Sequence, residues 1–188
     1  EKRNDRGSAM KPQIRWGKDT PGHKALRRGR FSEPCRVYFL TTCTYEGRPL
    51  LLGEVAQLMV EALFRWQLLC RFPLLAFVVM PDHVHVLGIL TTSEPLGKVF
   101  GRWKNWSARD ANKLLKREGR FWQPAFYDHA VRRDENLLTI ASYIEANPVR
   151  AGLVENPDEF PYSSAFPPYA ERLLGWRWLA GEEVFDTL

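Results

Sequence analysis

The chain holds no apolar run that approaches the ~20 residues a membrane-spanning helix needs. Its longest, Leu74 to Met80, is far too short. The first residues are charged and polar and lack the apolar core of a secretory signal, so none is expected. Cysteine is scarce. Cys35, Cys43 and Cys70 are an odd, widely spaced set with no Cys-x-x-Cys pair, which argues against a disulfide framework and against a multi-cysteine zinc site. A reducing cytoplasm is the expected compartment. No internal repeat is visible. What is present is ordinary for a folded soluble domain: 188 residues, 45% apolar and 26% charged. Such a composition excludes a wholly disordered chain, a collagen and a coiled coil.

The net charge of +5 is unevenly placed. Residues 1–30 carry ten basic and three acidic side chains, and residues 98–120 carry eight basic and two acidic ones. Residues 155–188 hold two basic and seven acidic residues. Two basic blocks suggest a polyanionic partner, although a solvated arm and an ordinary charged helix face would look the same. The expected organisation is a basic N-terminal arm over 1–30, one domain over 31–165 and an acidic tail over 166–188.

Periodicity predicts the elements. Arg36–Thr44 is β-branched and aromatic, hence a strand ended by Gly47 and Pro49. Val55, Met59, Ala62, Leu63, Trp66 and Leu69/Cys70 recur at helical spacing until Pro73. Leu74–Met80 and His83–Leu90 read as strands joined by a tight Pro81-Asp82 turn. A helix is expected from about Leu96 to Arg117, a strand over Phe126–Arg132, and a helix from an Asp134 cap to Asn147, halted by Pro148. Asn156–Pro168 reads as loop, and the segment with Trp176 and Trp178 either packs back or forms a short helix. The order predicts an α+β fold: a ferredoxin-like antiparallel sheet with helices on one face and the other face free for ligand.

Three groups of residues carry candidate chemistry. Alternation puts His83 and His85 on one face of their strand and Val84 on the other. Two such imidazoles can converge on a metal ion, or they are simply half-exposed histidines. Tyr143 and Asn147 stand at i and i+4 on one helical face. The amide oxygen can be a third ligand and the phenol a nucleophile, or the pair is a packed Tyr and a C-cap Asn. Lys98, Arg102, Lys104, Arg109 and Lys113, interleaved with Phe100, Trp103 and Trp106, can neutralise phosphates and stack on unpaired bases. For Phe100 and Trp103, core packing is the stronger reading.

Taken in this order, the pieces resemble a known family. His83-Val84-His85 after Val78-Val79-Met80-Pro81-Asp82 is similar to the HUH motif of single-tyrosine transposases. The string Phe121 to Arg132 resembles the segment leading into their tyrosine helix, and Tyr143 to Val154 resembles that helix and its exit. Pro161-Tyr162-Ser163-Ser164 resembles a further tag. The likeness is greatest to REP-associated tyrosine transposases, relatives of the transposases of minimal bacterial insertion sequences, and spans roughly Val37 to Ala165. It implies an HUH domain that cuts and rejoins single-stranded DNA carrying a palindromic-repeat hairpin. It further implies Tyr143 as the nucleophile that forms a 5′-phosphotyrosine link, and His83, His85 and Asn147 as ligands of Mg²⁺ or Mn²⁺. No small-molecule cofactor and no membrane partner is implied. A monomer whose site is completed within one chain is favoured over dimers that exchange tyrosine helices. One departure is Asp82, where Asn often precedes the first histidine.

The chemistry is coherent on its own terms. A phenol of pKa ~10 needs help to attack as phenolate, and a cation can stabilise charge on a phosphoryl oxygen. Tyr127 is a rival nucleophile, on a predicted strand with no ligand at helical offset. Two other functions fit parts of the pattern: a non-catalytic hairpin DNA or RNA binder, and a metal-dependent hydrolase of small phosphoesters.

Overall fold

The computed structural model describes residues 32–179, with side chains through residue 173. The basic arm and residues 180–188 of the acidic tail lie outside the described residues, as do the side chains of Trp176 and Trp178. Strand β1 (Arg36–Cys43) is followed by helix α1 (Gly53–Cys70), the hairpin β2 (Leu74–Val79) and β3 (His83–Leu90), helix α2 (Leu96–Leu114), strand β4 (Tyr127–Ala130) and helix α3 (Leu137–Glu145). The short helix α4 (Asn147–Arg150) and helix α5 (Pro167–Leu179) complete the order. The sheet runs β2-β3-β1-β4, antiparallel at every pairing. This is the antiparallel α+β architecture that the order of elements predicts.

Alternation along the strands divides the core in two. Tyr38, Leu40, Phe77, Val84 and Val86 face α1 and α2. Trp66 of α1 is fully buried there, stacked on Phe72 at 4.3 Å, with its indole N–H donating to the Val99 carbonyl at 2.9 Å. Phe100 and Trp103 of α2 are core residues of this layer, stacked at 5.3 Å. Helix α1 ends where Arg71 turns left-handed (φ 49°, ψ 52°). The chain then passes so close to β3 that a Cβ on Gly88 would lie 2.3 Å from Phe72 Cε1 and 2.7 Å from the Pro73 carbonyl. Only glycine fits there.

The second face is not left bare, and this corrects the expectation of helices on one face only. Every residue of β2 is buried, so both its sides need cover. Leu137, Ala141 and Ile144 of α3 supply it against Val37, Leu75, Ala76, Val78, Leu87 and Ile89. The cap of α3 is Asn136, whose side chain accepts from Thr139 N at 3.0 Å, rather than Asp134. Pro148 does not halt the chain's helical path. It sits in the first turn of α4, where its missing N–H costs nothing, and Arg150 N still donates to the Ala146 carbonyl at 3.0 Å.

The expected loop after Asn156 contains one ordered pairing. Val79 N donates to the Tyr162 carbonyl and Ser164 N to the Phe77 carbonyl, both at 2.9 Å, so residues 162–164 cover the free edge of β2. An edge strand otherwise presents unpaired backbone groups. Helix α5 begins inside the stretch assigned to the tail. Its Tyr169 packs on Phe64 and Phe77, and Leu173 joins the α1–α2 core. Among the described residues no helix is long and apolar enough to cross a membrane.

Candidate active site

The β2–β3 turn positions the first half of the site. Met80 N closes it on the His83 carbonyl at 2.8 Å. Thr44 N and Leu51 N then grip the Asp82 and Pro81 carbonyls at 2.8 and 2.9 Å, fixing the turn to the rest of the domain. Beyond the turn, Val84 is driven into the α1–α2 core, which forces His83 and His85 to the opposite face. Their ring centroids are 4.7 Å apart at 70°.

Each imidazole is held through Nδ1. His83 Nδ1 meets Asp82 Oδ1 at 2.6 Å. His85 Nδ1 meets Thr41 Oγ1 at 2.7 Å, from the residue directly opposite it on β1. With Nδ1 engaged in each ring, Nε2 is the ring nitrogen left without a hydrogen-bond partner among the described residues. Burial pushes His85 down to about 3, helped by the charges of His83 and Arg150, so its imidazole is neutral. The hydrogen bond from His83 is the main cause holding the Asp82 carboxyl below its usual value, over an opposing desolvation.

The second half comes from α3 and α4, packed on the same face. Tyr143 is 43% exposed. The Asn147 amide Nδ2 donates to the Tyr143 and Ile144 carbonyls at 2.8 and 3.1 Å. Its Oδ1 is thereby the free end of the side chain, with no donor among the described residues. The Arg150 guanidinium lies over the Tyr143 ring, 4.6 Å from its centroid. The same arginine's charge adds to the lowering at His85, after burial and His83. Sequence reading passed over Arg150. The signal was its i+7 offset from Tyr143, one turn beyond the pair that was noticed. Thr41 was also missed, because its role depends on cross-strand register. Tyr127 shares the face: it stands opposite Thr41, is 38% exposed, and meets Phe39 edge-on at 6.3 Å. Phe39 in turn lies 5.4 Å from the His85 ring.

The chemistry of this donor set fits a divalent cation. Imidazole nitrogens and an amide oxygen are ligand types for such ions. Asp82 and Thr41 orient the rings from behind, as outer partners of ligating histidines do. Among the described residues no three His, Cys, Asp or Glu side chains gather as a metal cluster.

The basic residues do not form one surface with these groups. Helix α2 belongs to the layer on the far side of the sheet from His83 and His85. Within it Lys104 is buried, with its ammonium donating to the Gln123 and Ala125 carbonyls at 2.7 and 3.0 Å. Arg102 pairs with Glu94. Trp106 is half-buried, with the Arg65 guanidinium 5.6 Å over its ring. Lys98, Arg109 and Lys113 are exposed, and only Arg109 has an ion pair, with the adjacent Asp110 at 3.6 Å.

Comparison with known proteins follows the same outline. A family model described as IS200-like transposase matches residues 35–147. The match spans both histidines and ends on Asn147, short of Arg150. A REP-associated tyrosine transposase of Escherichia coli (strain K12) is 27% identical over 151 residues, covering 80% of this chain and 89% of that protein. A solved REP-associated tyrosine transposase, bound to a REP hairpin, superposes with a TM-score of 0.63 at 24% identity. The likeness covers 77% of this chain and 85% of that one and establishes the shared fold.

Proposed function

The chain belongs to the IS200-like transposase family, and on that premise we propose that it cuts and rejoins single-stranded DNA beside a hairpin through a covalent bond to Tyr143. What supports this reading is that two Nδ1-anchored imidazoles lie on the sheet face that α3 covers, while α3 and α4 carry Tyr143, which is exposed, and Asn147. A hairpin partner is supported by the likeness to the solved protein that holds one.

In this reading Tyr143 Oη attacks a phosphodiester. The Oη–P bond forms as the P–O3′ bond breaks, the phenol proton passes to water, and the departing 3′ oxygen takes a proton from water. The product is a 5′-phosphotyrosine and a free 3′-OH. Attack by a 3′-OH on that phosphorus reverses the step, so rejoining needs no nucleotide triphosphate. His83, His85 and Asn147 would hold Mg²⁺ or Mn²⁺, which when bound polarises a non-bridging phosphoryl oxygen. Asp82 and Thr41 would hold the two imidazoles in orientation through Nδ1. Lys98, Arg109 and Lys113, on the layer beyond the sheet, would meet phosphates away from the cut, while Lys104 serves the fold.

The test is incubation of the full chain with labelled hairpin oligonucleotides and Mn²⁺, followed by a denaturing gel. A protein–DNA adduct is expected from the wild type and none from Tyr143→Phe. An adduct from Tyr143→Phe that disappears in Tyr127→Phe would assign the nucleophile to the strand tyrosine. Hairpin binding with no cleavage of any substrate would make the protein a binder only.

A further inference from the structure

We propose that Arg150 is a catalytic residue of this site: its guanidinium braces the Tyr143 ring and donates to the non-bridging oxygens of the phosphate that Tyr143 attacks. The inference rests on the strand-transfer reading above. Three observations carry it. The guanidinium lies 4.6 Å over the Tyr143 ring centroid. It is exposed and has no carboxylate partner among the described residues. Finally, the α3–α4 junction keeps helical hydrogen bonds, Arg150 N to the Ala146 carbonyl at 3.0 Å and Ala151 N to the Asn147 carbonyl at 2.9 Å. Buried Pro148 anchors that turn. Tyr143, Asn147 and Arg150 therefore follow one another along a single face.

The geometry suits the role. A guanidinium held over a ring keeps N–H groups available for a bidentate hold on a phosphate. As the Tyr143 Oη–P bond forms and the P–O3′ bond breaks, negative charge collects on the non-bridging oxygens. A fixed cation beside the nucleophile stabilises that charge without having to reorganise. Lysine carries the charge but neither the stack nor the fork.

The experiment uses the full chain, with single-turnover adduct formation at saturating hairpin oligonucleotide and Mn²⁺. Hairpin affinity in EDTA and thermal stability are measured beside it. Arg150→Ala is expected to slow adduct formation by about 100-fold or more, with hairpin affinity and melting temperature close to wild type. Arg150→Lys should recover less than about a tenth of the rate. Added guanidinium ion at concentrations that leave the fold intact should accelerate Arg150→Ala and not the wild type. Three results would each overturn the assignment: an Arg150→Ala rate within about threefold of wild type, a loss matched by an equal loss of hairpin affinity or of folding, or full activity in Arg150→Lys. No adduct from the wild type overturns the strand-transfer reading and this assignment with it. A wild-type adduct with unaffected Arg150→Ala overturns this assignment alone.

Discussion

Ser164→Ala removes one hydroxyl that joins three parts of the chain. Ser164 Oγ accepts from the Phe77 backbone N–H of β2 at 3.1 Å and donates to Glu145 Oε1 of α3 at 2.7 Å, with all three residues buried. A hydrogen bond to a charged group contributes roughly 1.5–3 kcal/mol, and an orphaned buried N–H costs roughly 1–3 kcal/mol. Alanine keeps the Cβ and adds no bulk, so no clash obscures the result. The expected loss is about 3 kcal/mol, which for a domain of this size lowers the melting temperature by about 6–12 °C. The assay is urea unfolding at pH 7 followed by tryptophan fluorescence, with Ser163→Ala as control. Among the described residues the Ser163 hydroxyl accepts only from Ala165 N, at 3.2 Å, and its loss should cost about 1 kcal/mol or less. Because Glu145 lies two residues from Tyr143, adduct formation by Ser164→Ala should fall more than hairpin affinity does. A loss below about 0.5 kcal/mol, the range of ordinary surface substitutions, or equal losses for the two serines, would refute the reasoning.

Gly88→Ala should cost about 3 kcal/mol by overpacking. The new Cβ meets the Pro73 carbonyl, which is pinned by Ile89 N at 2.9 Å and cannot swing away as a side chain could; a melting temperature equal to wild type would contradict this. Burial brings the Lys104 ammonium down to about 8 from 10.5, so the unfolded chain binds more protons between those values and stability rises with pH across that window. The gain is at most roughly 3 kcal/mol. Burial likewise pushes the Cys43 thiol up to about 11 from 9.0, which removes stability above pH 9. The lysine contribution is therefore read as the difference between wild type and Lys104→Met, which should move in favour of wild type from pH 8 to 10.5; a flat difference would count against a desolvated ammonium. Asp82→Ala should weaken Mn²⁺ binding by about 10–100-fold, since the outer partner of His83 is lost. Calorimetry on the DNA-free protein measures it, and unchanged affinity would remove Asp82 from the site.

Much of the architecture, and the shared faces from which the candidate site is built, were legible because they are local. His83 and His85 share a face by the two-residue period of a strand, and Tyr143 and Asn147 share one by the helical period. Phe100 and Trp103 read as core residues for the same reason. Lys104 was not legible as a structural residue. In sequence it looks like Lys98 or Lys113, and only the Gln123 and Ala125 carbonyls, contributed by a separate segment, separate it from them. The departure at Asp82 became intelligible once its carboxylate was seen against His83 Nδ1.

By itself the sequence determined which residues lie on a common strand or helix face, and so which chemical groups could be neighbours. Repeat distances along a strand or helix are properties of the backbone and need no partner. The tertiary structure decided which faces meet. It set α3 against the second side of the sheet, placed the basic helix α2 on the other, and brought Thr41 to His85 and Ser164 to Phe77 across 44 and 87 residues. Those pairings follow from burying both sides of β2 and closing its free edge, which only the assembled sheet can require.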